Sequence, residues 1–291
     1  MRIVRSDVMG MCFGVRDALA ILDGIDEPET VTIHGELVHN KAVLVQLDTR
    51  GFRQSSETNR DAVPESPTVL ITAHGISHTE RARLAAAGKA LVDTTCPLVT
   101  RVHRAAQALH DQGYHVLVIG KPGHVEVRGI IEDLERYDVV ATAADAQTYP
   151  ATRLGIVCQT TTPPERARAV WQAIEEANKH AEIRFVDTVC RPTKEHQKAL
   201  DRMLLRVEAV VVVGGRNSNN TRELAETCRS RGVPAYHVQD ASELDPRWFR
   251  ELDVVGLTAG TSTLDSTIDE VYRALEAIDV RAARPLEVGA L

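Results

Sequence analysis

Short apolar segments alternate with longer amphipathic stretches along the whole chain. The short segments are rich in β-branched residues and predict strands at residues 2–5, 31–34, 68–72, 90–93, 115–119, 138–142, 153–158, 183–187, 209–213, 235–238 and 254–258. The longer stretches predict helices at residues 14–22, 41–50, 78–87, 98–112, 164–180, 194–207, 222–231 and 264–278. This regular alternation indicates an α/β fold with mostly parallel sheets.

Two of the predicted strands carry apolar side chains at every position. They are residues 116–119 and 210–213, and the pattern predicts that both faces of these strands are buried. Local signals also mark the helix ends. Pro164 is typical of a first helical turn, whereas Gly88, Gly113 and Gly232 are typical of helix C-termini.

Three cysteines are spread almost evenly along the chain, at the ends of predicted strands. Cys96 and Cys190 close the same local phrase, Asp-Thr-x-Cys, and Cys12 lies in a Met-Cys-Phe-Gly turn. The pattern predicts three similar modules, at residues 1–96, 97–189 and 190–291, the last with a C-terminal helix. Each would offer one thiolate to a shared centre, and three thiolates with one open position would form a reactive metal site.

The alternative is that these are three buried structural cysteines, which are common in cytosolic proteins. The repeated phrase argues against it. Cys158 and Cys228 lack that phrase, and we expect both to pack in the core.

Polar loops follow many of the predicted strands, where parallel α/β sheets bind ligands. Their small residues and hydroxyls would leave backbone N–H groups to bind an anion. The chain has no dinucleotide-binding glycine motif after its first strand and no phosphate-binding P-loop sequence.

Composition narrows the class of protein. The chain has 291 residues and a formal net charge of −7, which disfavours a nucleic-acid partner. No apolar run is long enough to span a bilayer, so no membrane association is expected. The chain opens directly into a predicted strand without a signal peptide, and we therefore expect a cytoplasmic protein.

Histidines, one glutamate and several hydroxyl groups are the other candidates for chemistry. His39, His74 and His124 lie in similar loops beside Gly or Asn, where either a structural or an anion-binding role stays open. Glu126 would be a surface residue by default, but beside a metal and an anion it would be a natural proton donor. The polar side chains at Thr160, Thr161, Ser218, Asn220 and Ser262 could equally serve as turn and cap residues.

The motif segments together resemble the LytB/IspH family, the 4-hydroxy-3-methylbut-2-enyl diphosphate reductases. They are residues 10–15, 35–40, 73–75, 93–99, 123–129, 159–161, 190–193, 217–221 and 258–262. Each segment is weak alone, but their order and spacing together are highly specific.

The resemblance implies three α/β modules in a pseudo-threefold trefoil around a central [4Fe–4S] cluster. Cys12, Cys96 and Cys190 match the cluster ligands, Glu126 the proton-relay carboxylate and Thr160 a hydroxyl that orients the substrate. The residues expected to bind substrate are His39, His74, His124, Thr160, Thr161, Thr193, Ser218, Asn219, Asn220 and Ser262. Reduced ferredoxin or flavodoxin is the implied electron donor, and the protein would be a monomer or weak homodimer.

The resemblance also implies the reaction, which is reductive removal of the 4-hydroxyl group to give isopentenyl and dimethylallyl diphosphate. This is the last step of the non-mevalonate isoprenoid pathway. The chain departs from the usual family pattern at Met11, Cys158, His196, Asn219 and Leu264. None of these departures removes a predicted ligand, but they leave a related allylic diphosphate open as the substrate.

Two further alternatives come from other classes. An iron–sulfur electron-transfer or redox-sensing protein would keep the cysteines, but it would not need the anion-binding residues. A zinc hydrolase with Glu126 as its base is disfavoured, because the cysteines are widely spaced and no deaminase signature is present.

Overall fold

The structure is a computed structural model that describes residues 1–57, 60 and 62–278. Within them, twelve strands run in chain order as β1 Arg2–Arg5, β2 Val31–Ile33, β3 Arg53–Gln54, β4 Thr68–Ile71, β5 Ala90–Asp93, β6 His115–Ile119, β7 Tyr137–Val140, β8 Arg153–Cys158, β9 Glu182–Phe185, β10 Ala209–Val213, β11 Ala235–Val238 and β12 Val254–Ala259. The α-helices are α1 Phe13–Asp23, α2 Lys41–Thr49, α3 His78–Ala86, α4 Pro97–Asp111, α5 Val125–Ile131, α6 Pro164–Ala177, α7 Arg191–Leu204, α8 Asn219–Ser230 and α9 Asp265–Ala277. The last part of the third predicted module, residues 279–291, lies outside the described residues.

The strands form three four-stranded sheets in which every described pair is parallel, as the alternating pattern predicts. The orders are β3-β2-β4-β5, β7-β6-β8-β9 and β11-β10-β12-β1. Each sheet therefore has two central strands and two edge strands. In each sheet, one edge strand is followed along the chain by a candidate cysteine. These edge strands are β5, β9 and β1, and the cysteines are Cys96, Cys190 and Cys12.

The first strand departs from the predicted modules. We expected residues 2–5 in the first module, but β1 pairs in parallel with β12, with Arg2 opposite Val254. The edge strand that precedes Cys12 thus completes the third sheet. Such a pairing between the two ends of the chain leaves no local signal in the sequence.

The described residues divide into two compact units. The one-sheet unit comprises Met1–Met11, His39–Lys41 and the chain from Glu195, with the sheet that contains β10 and β12. The two-sheet unit comprises Cys12–Val38 and Ala42–Lys194, with the other two sheets.

The two fully apolar strands are buried on both faces, as predicted. In β6, Leu117 and Ile119 pack in one core cluster, whereas Val116 and Val118 pack in another. The strand β10 alternates in the same way between two clusters of the one-sheet unit. Because successive side chains point to opposite faces, a continuous apolar run fills the layers on both sides of its sheet.

Helix boundaries differ from the predictions by up to three residues at either end. Helices α7 and α8 begin at Arg191 and Asn219, three residues before their predicted starts, whereas α6 and α7 end three residues before their predicted ends. The pattern predicts no helix where α5 lies. The predicted C-terminal glycines are confirmed, since Gly88, Gly113 and Gly232 have positive φ angles directly after helix ends. The early starts place several candidate residues in first helical turns. None of the described helices has the length and apolar character needed to cross a membrane.

Candidate functional site

Each of the three candidate cysteines stands at the start of a helix in the two-sheet unit. The carbonyl groups of Cys12, Cys96 and Cys190 accept the first hydrogen bonds of α1, α4 and α7, from the N–H groups four residues later. Their sulfur atoms accept further N–H groups of the same first turns, including that of Thr193 at 3.4 Å. The partial positive charge of three helix N-termini therefore surrounds the sulfurs and favours their thiolate forms.

The sulfurs also lie close enough to influence one another. A Cβ atom added to Gly14, in the first turn of α1, would lie 2.5 Å from the Sγ atom of Cys96. The absence of a side chain at Gly14 thus lets the helix that begins after Cys12 approach Cys96. The charges of Cys12 and Glu126 both raise the pKa of Cys96 and that of Cys190.

Burial opposes the thiolate forms of these cysteines. It is the largest cause that raises the pKa of Cys12 and Cys96, and it raises that of Cys190 to about 12. Three partly buried thiolates would repel one another, so a cationic group is needed for the thiolate forms to exist together. Within the described part of the chain, no three His, Cys, Asp or Glu side chains are grouped to bind one metal ion.

Glu126 is the most perturbed acid of this region. It lies in the first turn of α5 with 2% of its surface exposed. Its Oε1 atom accepts the N–H group of Thr160 at 2.6 Å, and its Oε2 atom accepts the Thr160 hydroxyl at 2.9 Å. Burial raises the pKa of Glu126 to about 7, although both bonds from Thr160 favour the charged form.

Thr160 connects this carboxyl group with a candidate metal ligand. Its carbonyl oxygen accepts the N–H group of Cys190 at 2.9 Å, while its hydroxyl and N–H groups bind Glu126. Glu126, Thr160 and Cys190 therefore form a continuous hydrogen-bonded chain, and the sequence placed all three at the same site.

The two candidate histidines of the two-sheet unit, His74 and His124, lie beside each other. His74 follows β4 and His124 caps α5, and their rings meet edge to face with centroids 5.8 Å apart. His124 Nδ1 accepts the N–H group of Glu126 at 3.1 Å. In a neutral ring the proton is then on Nε2, which makes that atom the ring donor. The remaining candidates of this unit are Thr161, in the loop after β8, and the buried Thr193 in α7.

The one-sheet unit brings together the other predicted residues. Ser218 caps α8, and Asn219 and Asn220 form its buried first turn. The Asn220 Oδ1 atom accepts the N–H group of Thr261 at 3.0 Å, next to Ser262. The backbone carbonyl of Ser262 accepts the Asn40 Nδ2 group at 2.7 Å, and the His39 carbonyl fills the space that a side chain at Gly215 would need.

Several polar groups of this cluster have no hydrogen-bond partner among the described residues. They are the Asn220 Nδ2, Ser262 Oγ and Thr221 Oγ1 atoms, each buried. An unpartnered buried polar group costs about 1–3 kcal/mol. Neutral donors that carry this cost are typical of a site that binds an anion.

Sequence reasoning missed some polar groups that the structure places among these residues. Asn40, Gln159 and Thr221 lie within the quoted motif segments, but no role was predicted for them. Gln159 is fully buried, and its Oε1 atom accepts the N–H group of Lys121 at 2.9 Å. Their position inside the motif segments was the feature of the sequence that could have identified them as site residues.

Cys158 and Cys228 are both fully buried, as predicted for core residues. Burial raises the pKa of each thiol to about 12. The departure at His196 is also buried, which lowers its pKa to about 4.

The family model described as LytB protein matches residues 3–276 of the chain. The chain belongs to the LytB family. This membership confirms the resemblance seen in the motif segments.

Two curated relatives of this LytB chain carry the name 4-hydroxy-3-methylbut-2-enyl diphosphate reductase. The relative from Anaeromyxobacter sp. (strain Fw109-5) is 37% identical, over 90% of this chain and 92% of its own length. The relative from Pelobacter propionicus is 33% identical, over 93% of this chain and 96% of its own length.

Two solved structures resemble the LytB chain. The E-1-hydroxy-2-methyl-but-2-enyl-4-diphosphate reductase from Plasmodium falciparum has a TM-score of 0.88 at 24% identity, and the match covers 100% of this chain and 95% of that one. A second structure, described as the terminal enzyme of the non-mevalonate pathway, has a TM-score of 0.63 at 31% identity, with 96% and 100% covered. The likeness confirms the α/β fold of three modules.

Proposed function

We propose that the protein reduces 4-hydroxy-3-methylbut-2-enyl diphosphate to isopentenyl and dimethylallyl diphosphate, the last step of the non-mevalonate pathway. Family membership and the names of the relatives support this function. The observation that carries it is the chain from the Glu126 carboxyl group through Thr160 to Cys190. A reductive removal of a hydroxyl group needs electrons and a proton at the same place, and this chain links a proton donor to a metal ligand.

Cys12, Cys96 and Cys190 would hold a [4Fe–4S] cluster, which would pass the two electrons of the reaction, one at a time, from an external donor to the substrate. The residues fit such a group, because thiolates are its usual ligands and each sulfur lies at a helix N-terminus. A cluster presents its irons at separate corners, so its ligands need not meet at one point as for a single ion. The mutual repulsion of three partly buried thiolates would be relieved by the iron charge.

Glu126 is the proposed proton donor. With a pKa of about 7, a substantial fraction of this carboxyl group is protonated at neutral pH. In the overall reaction two electrons and two protons are consumed, the carbon–oxygen bond breaks and the hydroxyl group leaves as water. The N–H and hydroxyl groups of Thr160 would stabilise the carboxylate that remains after Glu126 gives up its proton.

The substrate diphosphate would be bound by neutral donors. The supporting observation is the set of buried Asn220 Nδ2 and Ser262 Oγ groups at the start of α8 and after β12. The other proposed binding residues are His39, His74, His124, Thr160, Thr161, Thr193, Ser218 and Asn219. Imidazole, hydroxyl and amide groups can bind a diphosphate without repelling its charge.

The remaining features of the proposal concern the cellular setting. Reduced ferredoxin or flavodoxin is the proposed electron donor, and the protein is proposed to act in the cytoplasm as a monomer or weak homodimer. The proposed module limits stay at residues 96/97 and 189/190, with β1 assigned to the third sheet.

Anaerobic reconstitution with iron and sulfide, followed by turnover with a reduced dye, tests this function. We expect bound iron and sulfide, and conversion of the substrate to both products. Cys→Ser at position 12, 96 or 190 should diminish the cluster, whereas Cys228→Ser should not. A reconstituted protein that holds the cluster but does not turn over the substrate would contradict the function and favour electron transfer.

A further inference from the structure

The two Asp-Thr-x-Cys phrases adopt the same hydrogen-bonded arrangement. The Thr94 hydroxyl donates to the carbonyl of Ile71 at 2.6 Å, and the Thr188 hydroxyl donates to that of Cys158 at 2.6 Å. Two residues later, Cys96 N–H donates to Ala73 at 3.1 Å, and Cys190 N–H donates to Thr160 at 2.9 Å. Each phrase thus binds the neighbouring central strand at two carbonyls that are two residues apart.

The aspartates fix the turn between these two bonds. Asp93 Oδ1 accepts the N–H group of Thr95 at 2.9 Å, and Asp187 Oδ1 accepts that of Val189 at 3.1 Å. A side chain that accepts the N–H group two residues on closes a turn without help from the backbone ladder. The phrase therefore carries the chain from the edge strand to the cysteine in a single defined path.

Both threonines are buried, with 4% and 2% of Thr94 and Thr188 exposed. At Ile71 the Thr94 hydroxyl adds a second donor to a carbonyl that already accepts the Thr94 N–H group at 3.0 Å, and at Cys158 the Thr188 hydroxyl donates to the carbonyl. The Thr188 hydroxyl also acts as an acceptor, because its oxygen accepts the N–H group of Cys158 at 2.7 Å.

Cys12 lacks this arrangement, and its surroundings show why. After β1, the N–H group of Ser6 donates to the carbonyl of Leu257 at 2.9 Å, as Thr94 N–H donates to Ile71. The Ser6 hydroxyl instead donates to Val8 at 3.0 Å within its own turn. Cys12 follows Ser6 by six residues rather than two, so no such turn connects it with the strand.

We propose that Thr94 and Thr188 are positioning residues that connect two of the three cluster ligands, Cys96 and Cys190, each to one loop of the substrate site. This inference rests on the proposed function, in which Cys96 and Cys190 bind the cluster. Thr94 connects Cys96 to the strand end that leads into His74, a proposed diphosphate ligand. Thr188 connects Cys190 to the strand end that leads into Thr160, the partner of Glu126. These hydrogen bonds join groups of the polypeptide alone, so we infer that they preorganise two of the three ligands.

The two threonines therefore have different consequences for catalysis. Thr188→Val should shift the pH profile of kcat, because burial raises the pKa of Glu126 and this change loosens the Thr160 groups that counteract the rise. Thr94→Val should chiefly raise KM, because it loosens the loop of His74. Each change removes one or two hydrogen bonds, so we expect effects of roughly fivefold to tenfold.

Thr32→Val is the matched control in the same unit. Thr32 is also buried, and its hydroxyl lies 2.7 Å from that of Ser66, away from the cysteine phrases. In the reconstituted protein, Thr188→Val and Thr94→Val should each release iron to a chelator roughly fivefold to tenfold faster than the wild type. Thr32→Val should match the wild type, and Thr188→Ser and Thr94→Ser should restore slow release.

The metal-free protein supplies a readout that does not depend on the cluster. Alkylation of Cys190 should be faster in Thr188→Val than in the wild type, and that of Cys96 faster in Thr94→Val. The amide hydrogens of Cys96 and Cys190 should be protected from exchange in the metal-free wild type. Protection can be measured even if a valine variant does not fold.

The outcomes separate this inference from the proposed function. If the wild type takes up no iron, the proposed function fails, and alkylation with amide exchange still tests the arrangement. If the valine variants match Thr32→Val in iron release and alkylation, or if the two amides exchange without protection, the positioning role is wrong. A pH profile that is unchanged in Thr188→Val would contradict its connection to Glu126.

Discussion

Glu126 and Asn220 occupy equivalent positions in two different modules. Each is the second residue of a helix that follows a first central strand, in α5 after β6 and in α8 after β10. Each side chain accepts an N–H group two residues beyond the second central strand, Glu126 from Thr160 and Asn220 from Thr261. The backbone positions thus correspond, and the two side chains differ by one methylene group and in their second polar atom.

The second polar atom of each side chain distinguishes the proposed roles of Glu126 and Asn220. In Glu126 it is an oxygen that accepts the Thr160 hydroxyl, and burial makes this group a weak acid near neutral pH. In Asn220 it is the Nδ2 group, a donor without a partner among the described residues. One repeated framework therefore supplies a proton donor in the two-sheet unit and an anion donor in the one-sheet unit.

Glu126→Gln makes the acid position resemble the amide position and should have the largest effect. The amide keeps the acceptor for Thr160 N–H but cannot give up a proton, so kcat should fall by roughly 10²–10⁴-fold. Iron content and substrate affinity should stay close to those of the wild type. Steady-state kinetics and iron analysis provide the measurement, and near-wild-type turnover would exclude Glu126 as the proton donor.

Asn220→Asp is the reverse exchange. A carboxylate here would repel the diphosphate and remove a donor, so KM should rise by roughly 30- to 100-fold, since like charges in contact cost several kcal/mol. Asn220→Ala serves as the control that removes the donor without adding charge, and its KM should rise by roughly tenfold. Equal KM values for the two variants would mean that Asn220 does not face the diphosphate.

Thr160→Val tests how the hydroxyl group that binds Glu126 affects the pKa of this acid. The raised pKa of Glu126 predicts that kcat falls as the pH rises through about 7, because the protonated form is lost. Without the Thr160 hydroxyl the carboxylate of Glu126 loses a stabilising hydrogen bond, so its pKa rises. The fall in kcat should therefore occur at a pH about one unit higher than in the wild type. The pH dependence of kcat is the measurement. If kcat falls at a lower pH than in the wild type, the hydroxyl stabilises the protonated form of Glu126 instead.

The same group affects stability in the metal-free protein. The pKa of Glu126 is raised in the folded state, so its contribution to the free energy of unfolding is fully present below about pH 4.5 and is lost as the pH rises through about 7. The wild type should therefore lose about 3 kcal/mol across this range relative to Glu126→Gln. Denaturant unfolding at several pH values measures the difference, and parallel pH profiles for the two proteins would contradict it.

Ser262→Ala should have the smallest effect on catalysis. It removes one buried neutral donor, so KM should rise by roughly threefold to tenfold while kcat changes little. A change confined to kcat would place Ser262 at the proton-transfer step rather than at the diphosphate.

The sequence predicted much of this arrangement because its signals are local. Runs of β-branched residues predict strands wherever they lie, and the repeated phrase before Cys96 and Cys190 identified two candidate metal ligands. Helix starts were less predictable. Arg191 and Asn219 begin helices directly after candidate residues, where short polar side chains resemble a loop until a cap is seen in three dimensions.

The sequence by itself determined the α/β class, the family, and the identity of the candidate cysteines, acid and anion donors. Only the tertiary structure decided that β1 completes the third sheet, that Glu126 and Asn220 are equivalent, and that threonines connect Cys96 and Cys190 to neighbouring strands. The physical reason is that these features depend on hydrogen bonds between distant residues, such as Arg2 with Asp253 and Thr160 with Glu126. Such bonds form only after the chain has folded, and no local pattern encodes them.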